Sequence, residues 1–225
     1  KIEDLSRFTV EEEVIEDALA ALEFLRSQKE TNPQGVFILG HSLGGQLVPE
    51  IAHRDGKVAG VIILAGPTRP LSELVVEQME YIFSLDGQID EKENEQLEEI
   101  KKGRDKLKNR ELKEDEIVPG LGGYASYWYD LEKRNPVVEA NKLSCPILIL
   151  QGERDYQVTL VDFNNWEKGL SSRDKVAFKL YPDLNHLFIV GKGKSTPQEY
   201  QNPGHVDKQV IEDIAWWIKG VSQLM

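Results

Sequence analysis

The sequence predicts an α/β fold, a mostly parallel sheet flanked by helices and carrying a helical cap insertion. Three observations predict it. Short apolar runs rich in β formers recur at residues 36–39, 58–64, 147–150 and 176–180. They lack the apolar–polar alternation of a half-exposed strand, which is the pattern of strands covered on both faces. Amphipathic helical segments alternate with them, as right-handed crossovers between parallel strands require. Between residues 67 and 142 this rhythm stops, and no buried-strand run appears.

In order along the chain, the first helix is expected from Thr9 to about Gln28. Val10, Val14, Ala18, Ala21, Leu22 and Leu25 fall on one face of it. Thr9 and Glu12 have capping-box spacing, and the acids in the first turns suit the positive end of the helix dipole. Asn32-Pro33 punctuates the chain. The run 36–39 is then closed by Gly40, and a second helix follows from Leu43 to about Arg54. After the strand 58–64 comes the insertion, whose stretch 77–116 holds 14 acids against 8 bases. This excess fits a solvated helical face on roughly 91–116. Tyr124, Tyr127, Trp128 and Tyr129 cluster just beyond, and either line a pocket or anchor the insertion. The last helix spans about 206–219, with Val210, Ile211, Ile214, Trp217 and Ile218 near one face. The expected organisation is core residues 1–66, cap residues 67–142 and core residues 143–225.

Composition excludes several functions. The 225 residues include 39 acids and 27 bases, a formal net charge of -12, whereas neutralising nucleic-acid phosphates needs clustered Lys and Arg. No apolar run approaches the roughly 20 residues of a membrane helix, so a membrane partner is not expected. The single cysteine, Cys145, cannot form an intramolecular disulfide or a multi-cysteine metal site, and its place before an apolar run reads as a structural thiol. The chain opens at Lys1 without a Met, and the sequence assigns no compartment.

Gly40-His41-Ser42-Leu43-Gly44 is a Gly-x-Ser-x-Gly pattern standing between a predicted strand and a predicted helix. There the chain must turn sharply and project Ser42 above the sheet, a conformation that a side chain at Gly40 or Gly44 is expected to obstruct. Gly45 allows further close packing, and the following helix aims its N-terminus at developing negative charge. A serine hydroxyl needs a base. Of four histidines, His41 is adjacent to Ser42 but points away from it, His53 lies late in the following helix, and His205 precedes the last helix. His186, just past the strand 176–180, is the expected base. Asp155, just past the strand 147–150, is the expected acid that orients it, with Glu153 and Asp183 as competitors. The order Ser42, Asp155, His186 is nucleophile, acid, base.

Those residues carry a resemblance. Gly40 through Gly45, the segment 146–158 (PILILQGERDYQV), Leu184-Asn185-His186 and the Phe8-Thr9 helix resemble α/β-hydrolases. Bacterial serine esterases of the dienelactone-hydrolase and prolyl-oligopeptidase-like branch are the nearest in pattern. The resemblance implies hydrolysis of a small-molecule carboxylic ester through an acyl-enzyme, with no cofactor and no metal. It implies an oxyanion-hole N–H from Leu43 and substrate contacts from His41, Tyr124, Tyr127 and Trp128. The family fold places further strands ahead of the first helix seen here, with a His-Gly loop that gives the second oxyanion donor. The chain is therefore expected to be the carboxyl-terminal portion of a longer hydrolase, with the exposed edge of strand 36–39 covered by a missing N-terminal segment or by a second chain. A peptidase or thioesterase on the same triad, transfer of the acyl group to an alcohol, and a noncatalytic binding module of the same fold are the alternatives.

Overall fold

The computed structural model describes residues 5–223. After a π-helical turn at Glu11–Ile15, the elements are α1 (Glu16–Ser27), β1 (Phe37–His41), α2 (Leu43–Asp55), β2 (Gly60–Leu64), α3 (Leu71–Phe83), α4 (Glu91–Lys108), α5 (Ala125–Glu132), α6 (Pro136–Lys142), β3 (Ile147–Gly152), α7 (Leu160–Gly169), β4 (Val176–Tyr181) and α8 (Lys208–Ser222). They divide into two compact units. One holds Asp17–Thr68 and the chain from Asn135 onward; the other holds Arg69–Arg134 and the chain up to Glu16.

The first unit is built on a four-stranded parallel sheet in the order β1-β2-β3-β4. All residues of β2 and β3 are buried, as unalternating apolar runs require. The two outer strands depart from the expected burial on both faces. Leu39 of β1 is 49% exposed, and Lys179 and Leu180 of β4 face solvent in part. The reason is position: among the described residues β1 pairs with β2 alone and β4 with β3 alone. One core joins Ile62, Leu64, Leu148 and Leu150 to Tyr181, Phe188 and Val210, with Ile214, Trp217 and Ile218 of α8 packed against it. At roughly 1.5–3 kcal/mol for each fully buried large apolar side chain, this face is what docks α8. Arg26 of α1 makes two bonds of 2.6 and 2.7 Å to the Asp55 carboxylate at the end of α2.

In the second unit α3 and α4 close over Val76, Phe83, Leu97 and Ile100. Asp90 and Glu93 form a reciprocal capping box at the start of α4. Only Leu97, Ile100, Gly103 and Leu107 of that helix are buried, and its other faces carry the acids and lysines. At the first helical turn, the Thr9 N–H donates to the Glu12 carboxylate at 2.8 Å and the Glu11 N–H donates to the Thr9 hydroxyl at 3.3 Å. The segment before Glu16, expected with the core, packs on the insertion instead: Ser126 donates to the Ser6 carbonyl and Tyr127 to Glu13. Conversely α6, expected in the insertion, buries Pro136 and Ala140 in the sheet-bearing unit.

The turn between β1 and α2 sets Ser42 at φ 55° and ψ -124°, a region that costs a non-glycine residue of order 1–3 kcal/mol. The turn is held by Ser42 N–H donating to the Leu64 carbonyl at 2.9 Å and by Gln46 N–H donating to the Ser42 carbonyl at 3.1 Å. A Cβ on Gly40 would collide with the Gly44 carbonyl, and one on Gly45 would lie 2.8 Å from the Gly66 Cα. Gly44 differs from expectation: a Cβ there meets nothing within 4 Å. The close approach is made by Gly45 instead, where α2 crosses the end of β2.

Two outcomes are expected for stability. Gly44→Ala stays within about 1 kcal/mol of the parent in urea unfolding, whereas Gly40→Ala and Gly45→Ala each lose about 1–3 kcal/mol. Burial alone would raise the Asp55 pKa, but bonds and charge from Arg26 and Lys57 outweigh it and hold the carboxyl below the usual range. A lowered folded-state pKa gives stability that is present above the unfolded value near 4 and is lost as pH falls through the folded one. Asp55→Asn should therefore be less stable at neutral pH and lose less on acidification, read as Tm between pH 7 and pH 3.

Candidate active site

Parallel strands send their carboxyl-end loops to one edge of a sheet, and ligands of open α/β sheets bind there. Ser42 follows β1, Asp155 follows β3 and His186 follows β4, so all three project from that edge.

Asp155 is 5% exposed and His186 is 4% exposed. The Asp155 Oδ1 accepts N–H bonds from Gln157 at 2.8 Å and Val158 at 3.0 Å. Its Oδ2 accepts from the Gln151 side-chain amide at 3.0 Å and faces His186 Nδ1 at 2.7 Å. Four donors replace the water this carboxylate has lost, which is what allows the charge to stay buried. An ionised carboxylate only accepts, so the proton between the two lies on Nδ1, and in a neutral ring the lone pair is then on Nε2. Glu153 and Asp183, the competing acids, are exposed.

His186 sits in a tight loop closed by a bridge between Leu184 and Val190. Asn185 is 1% exposed, and its Oδ1 accepts from Leu187 N–H at 3.0 Å and Ile189 N–H at 3.1 Å. Phe188 completes the reversal at φ 58°.

His41 comes against this loop from β1. Its Nε2–H donates to the His186 carbonyl at 2.8 Å, and the two rings are 4.6 Å apart at 48°. Burial lowers the His41 pKa, which favours the neutral ring, and the Nε2 proton is committed to that carbonyl. Ser42 is the next residue along the chain, so the turn that carries it follows directly from this contact. The remaining histidines lie elsewhere: His53 is exposed and 2.9 Å from Glu139, and His205 is exposed.

Leu43 opens α2, so its N–H belongs to the first-turn amides that no carbonyl of the helix can reach, at the positive end of a 13-residue helix. Tyr124, Tyr127 and Trp128 belong to the other unit. Tyr124 precedes α5, Tyr127 donates to Glu13, and the Trp128 indole donates to the Gly122 carbonyl at 2.8 Å within a cluster of Leu107, Val118 and Ala125. Among the described residues no group of three or more His, Cys, Asp or Glu is disposed to hold a metal ion.

Sequence reasoning passed over Gln151, although a signal existed. It is a lone polar residue closing the buried run 147–150, and a polar side chain there must find partners. Its amide finds Asp155 and the Val158 carbonyl at 2.8 Å.

Comparison with known proteins bears on the family and the fold. A family model described as serine aminopeptidase, S33, matches residues 6–192. The chain is 46% identical over 215 residues to Esterase EstD of Thermotoga maritima, covering 96% of this chain but 50% of that protein. It therefore spans half the length of that relative. Among solved structures, a Pyrococcus furiosus esterase aligns with a TM-score of 0.53 and 13% identity, over 79% of this chain and 56% of that one. A carboxylesterase of the thaumarchaeon Nitrososphaera gargenis aligns with a TM-score of 0.53 and 15% identity, over 98% and 75%. These distant likenesses bear on the fold alone, which is that of the α/β-hydrolases. With a glycine-flanked serine at a strained strand–helix turn and the match over residues 6–192, the chain belongs to the serine aminopeptidase S33 family of α/β-hydrolases.

Proposed function

We propose that this chain carries the catalytic triad of a serine esterase acting on small-molecule carboxylic esters. The observation that carries the reading is the buried Asp155–His186 pair, at the same sheet edge as a serine held at positive φ. The likeness to Esterase EstD supports an ester as substrate.

In this reading the His186 Nε2 takes the Ser42 hydroxyl proton as Oγ attacks the ester carbonyl. Asp155 stabilises the imidazolium that forms and stays ionised itself. The tetrahedral oxyanion develops against the Leu43 N–H, where the α2 dipole favours negative charge. Collapse breaks the C–O bond, and His186 returns its proton to the leaving alkoxide. The acyl-enzyme is then cleaved by a water that His186 deprotonates, releasing the acid and restoring Ser42. Neither a cofactor nor a metal enters these steps. Tyr124, Tyr127 and Trp128 are proposed as substrate contacts, and the second oxyanion donor is not assigned to a residue of this chain.

A second reading is favoured by the family description: a peptidase that cleaves aminoacyl amides on the same triad. The two separate on substrate. In the full-length gene product, a chromogenic ester panel should show turnover well above that on aminoacyl anilides, and the reverse order would establish the peptidase. A fluorophosphonate probe should label Ser42, and Ser42→Ala should lower kcat by at least about 10⁴-fold. If that variant keeps its turnover, Ser42 is not the nucleophile. Tyr124→Ala should shift the acyl-chain length at which kcat/KM peaks, and an unmoved optimum would make that residue purely structural.

A further inference from the structure

The loops bearing Asp155 and His186 are joined a second time, one residue upstream on each. Arg154 precedes Asp155, and Asn185 precedes His186. Between them stands Glu199, on a short 3₁₀ turn at Pro197–Gln201. One of its oxygens pairs with the Arg154 guanidinium. The other accepts from the Asn185 amide at 3.1 Å and from the Ser195 hydroxyl at 3.2 Å. Arg154 is 7% exposed at its side chain, and Asn185 and Ser195 are each 1% exposed. Polar groups this buried need their partners, and a guanidinium left without its carboxylate would be an uncompensated charge.

The same guanidinium reaches the carbonyls of Gly193 at 2.8 Å and Lys192 at 3.3 Å, and the Arg154 N–H bonds the Leu184 carbonyl at 3.0 Å. Gly191 permits the approach, because a Cβ there would strike the guanidinium. The segment 191–201 is therefore a strap drawn across both loops, with Glu199 as its fastening. All but its first two residues lie past residue 192, where the family match ends.

We propose that Glu199 is a positioning residue that ties the acid-bearing loop to the base-bearing loop and so holds the Asp155–His186 pair in register. The inference rests on the reading of those two residues as acid and base of a hydrolytic triad. Its physical ground is that acid–base geometry must hold to a fraction of an ångström, and a shift of about 1 Å costs on the order of a hundredfold in rate. Asn185 already shapes the base loop through its Oδ1, so fixing its amide orients the turn on which His186 is mounted.

The test compares Glu199→Ala and Glu199→Gln with the parent in the full-length gene product, each assayed well below its own Tm. In Glu199→Ala, kcat on a chromogenic ester should fall about 10- to 100-fold with KM unchanged. Glu199→Gln keeps an acceptor for Asn185 and Ser195 but loses the negative charge that pairs with Arg154, so its kcat should fall between the two. The downfield proton resonance of His186 Nδ1–H should be sharp in the parent and broadened or lost in Glu199→Ala. Unchanged kcat in Glu199→Ala would overturn the proposal, as would a rise in KM alone or a resonance identical to the parent's. If Glu199→Ala does not fold, Glu199→Gln carries the same comparison. If the parent itself neither turns over esters nor labels with a fluorophosphonate, the esterase reading fails. The resonance comparison still decides whether Glu199 holds the acid and base together.

Discussion

The 2.7 Å bond between Asp155 and His186 is the constraint on which the rest of the site depends. Burying a carboxylate is costly unless its charge is met by donors, and this one is met from three directions. Two backbone N–H groups come from its own turn, one amide from the end of β3 and one imidazole from the loop after β4. That last donor is available only because β3 and β4 are paired as neighbours. Their register sets Gly152 opposite Tyr181, so the two loops leave the sheet side by side. Gly152 keeps them close, since a Cβ on it would strike the Leu184 carbonyl. Chain pairing, a missing side chain and a buried charge thus enforce one another.

Ser42 is positioned by a separate set of forces. β1 lies three strand spacings from β4, roughly 14 Å at the usual separation, so a base loop running straight off β4 would never reach Ser42. The loop 184–190 instead doubles back, with Asn185 accepting two N–H bonds and Phe188 taking a left-handed backbone. His41 records how far it travels, since its ring meets His186 at 4.6 Å. The strain at Ser42 is balanced by the bond to the Leu64 carbonyl and by the dense packing of α2 on β2 at Gly45 and Gly66. Strain of this kind persists only where the surroundings over-determine it.

What could be read from the sequence was whatever local pattern encodes. Unalternating runs marked the strands, the glycine-flanked serine marked the turn, and the positions of Asp155 and His186 just past strands marked the loops. What could not be read depends on contacts made far along the chain. The pattern suggested that Gly44 is sterically required, but the tight contact falls on Gly45, because the obstructing atom belongs to Gly66. Outer-strand exposure at Leu39 and Lys179 comes from sheet order, which a run of apolar letters does not contain. The segment before Glu16 joins the insertion through Ser6–Ser126 and Glu13–Tyr127 bonds spanning more than 110 residues. Gln151 left a legible trace as a polar residue in a buried strand. Glu199 left none, since an acid between a glutamine and a tyrosine carries no period and no motif.

The insertion enters and leaves between β2 and β3, two fully buried neighbours in the middle of the sheet, where a long excursion threatens strand pairing most. Its exit is pinned before it begins. Thr68 donates through both its N–H and its hydroxyl to Asp162 at 2.8 and 2.9 Å, and the Trp166 indole donates to the Gly66 carbonyl at 2.7 Å. Both anchors belong to α7, and Asp162 and Trp166 are fully buried there, so the end of β2 is fixed to the sheet-bearing unit without help from the insertion. At the return, Asn135 caps α6 through Val138 N–H at 3.1 Å, and α6 packs on the same unit. With both ends held, the entropy of closing the excursion grows only slowly with its length. The acid-rich insertion can therefore change in length, charge and aromatic content while β2 and β3 stay paired. The bonds described for Asp155, His186 and Ser42 all lie within the sheet-bearing unit.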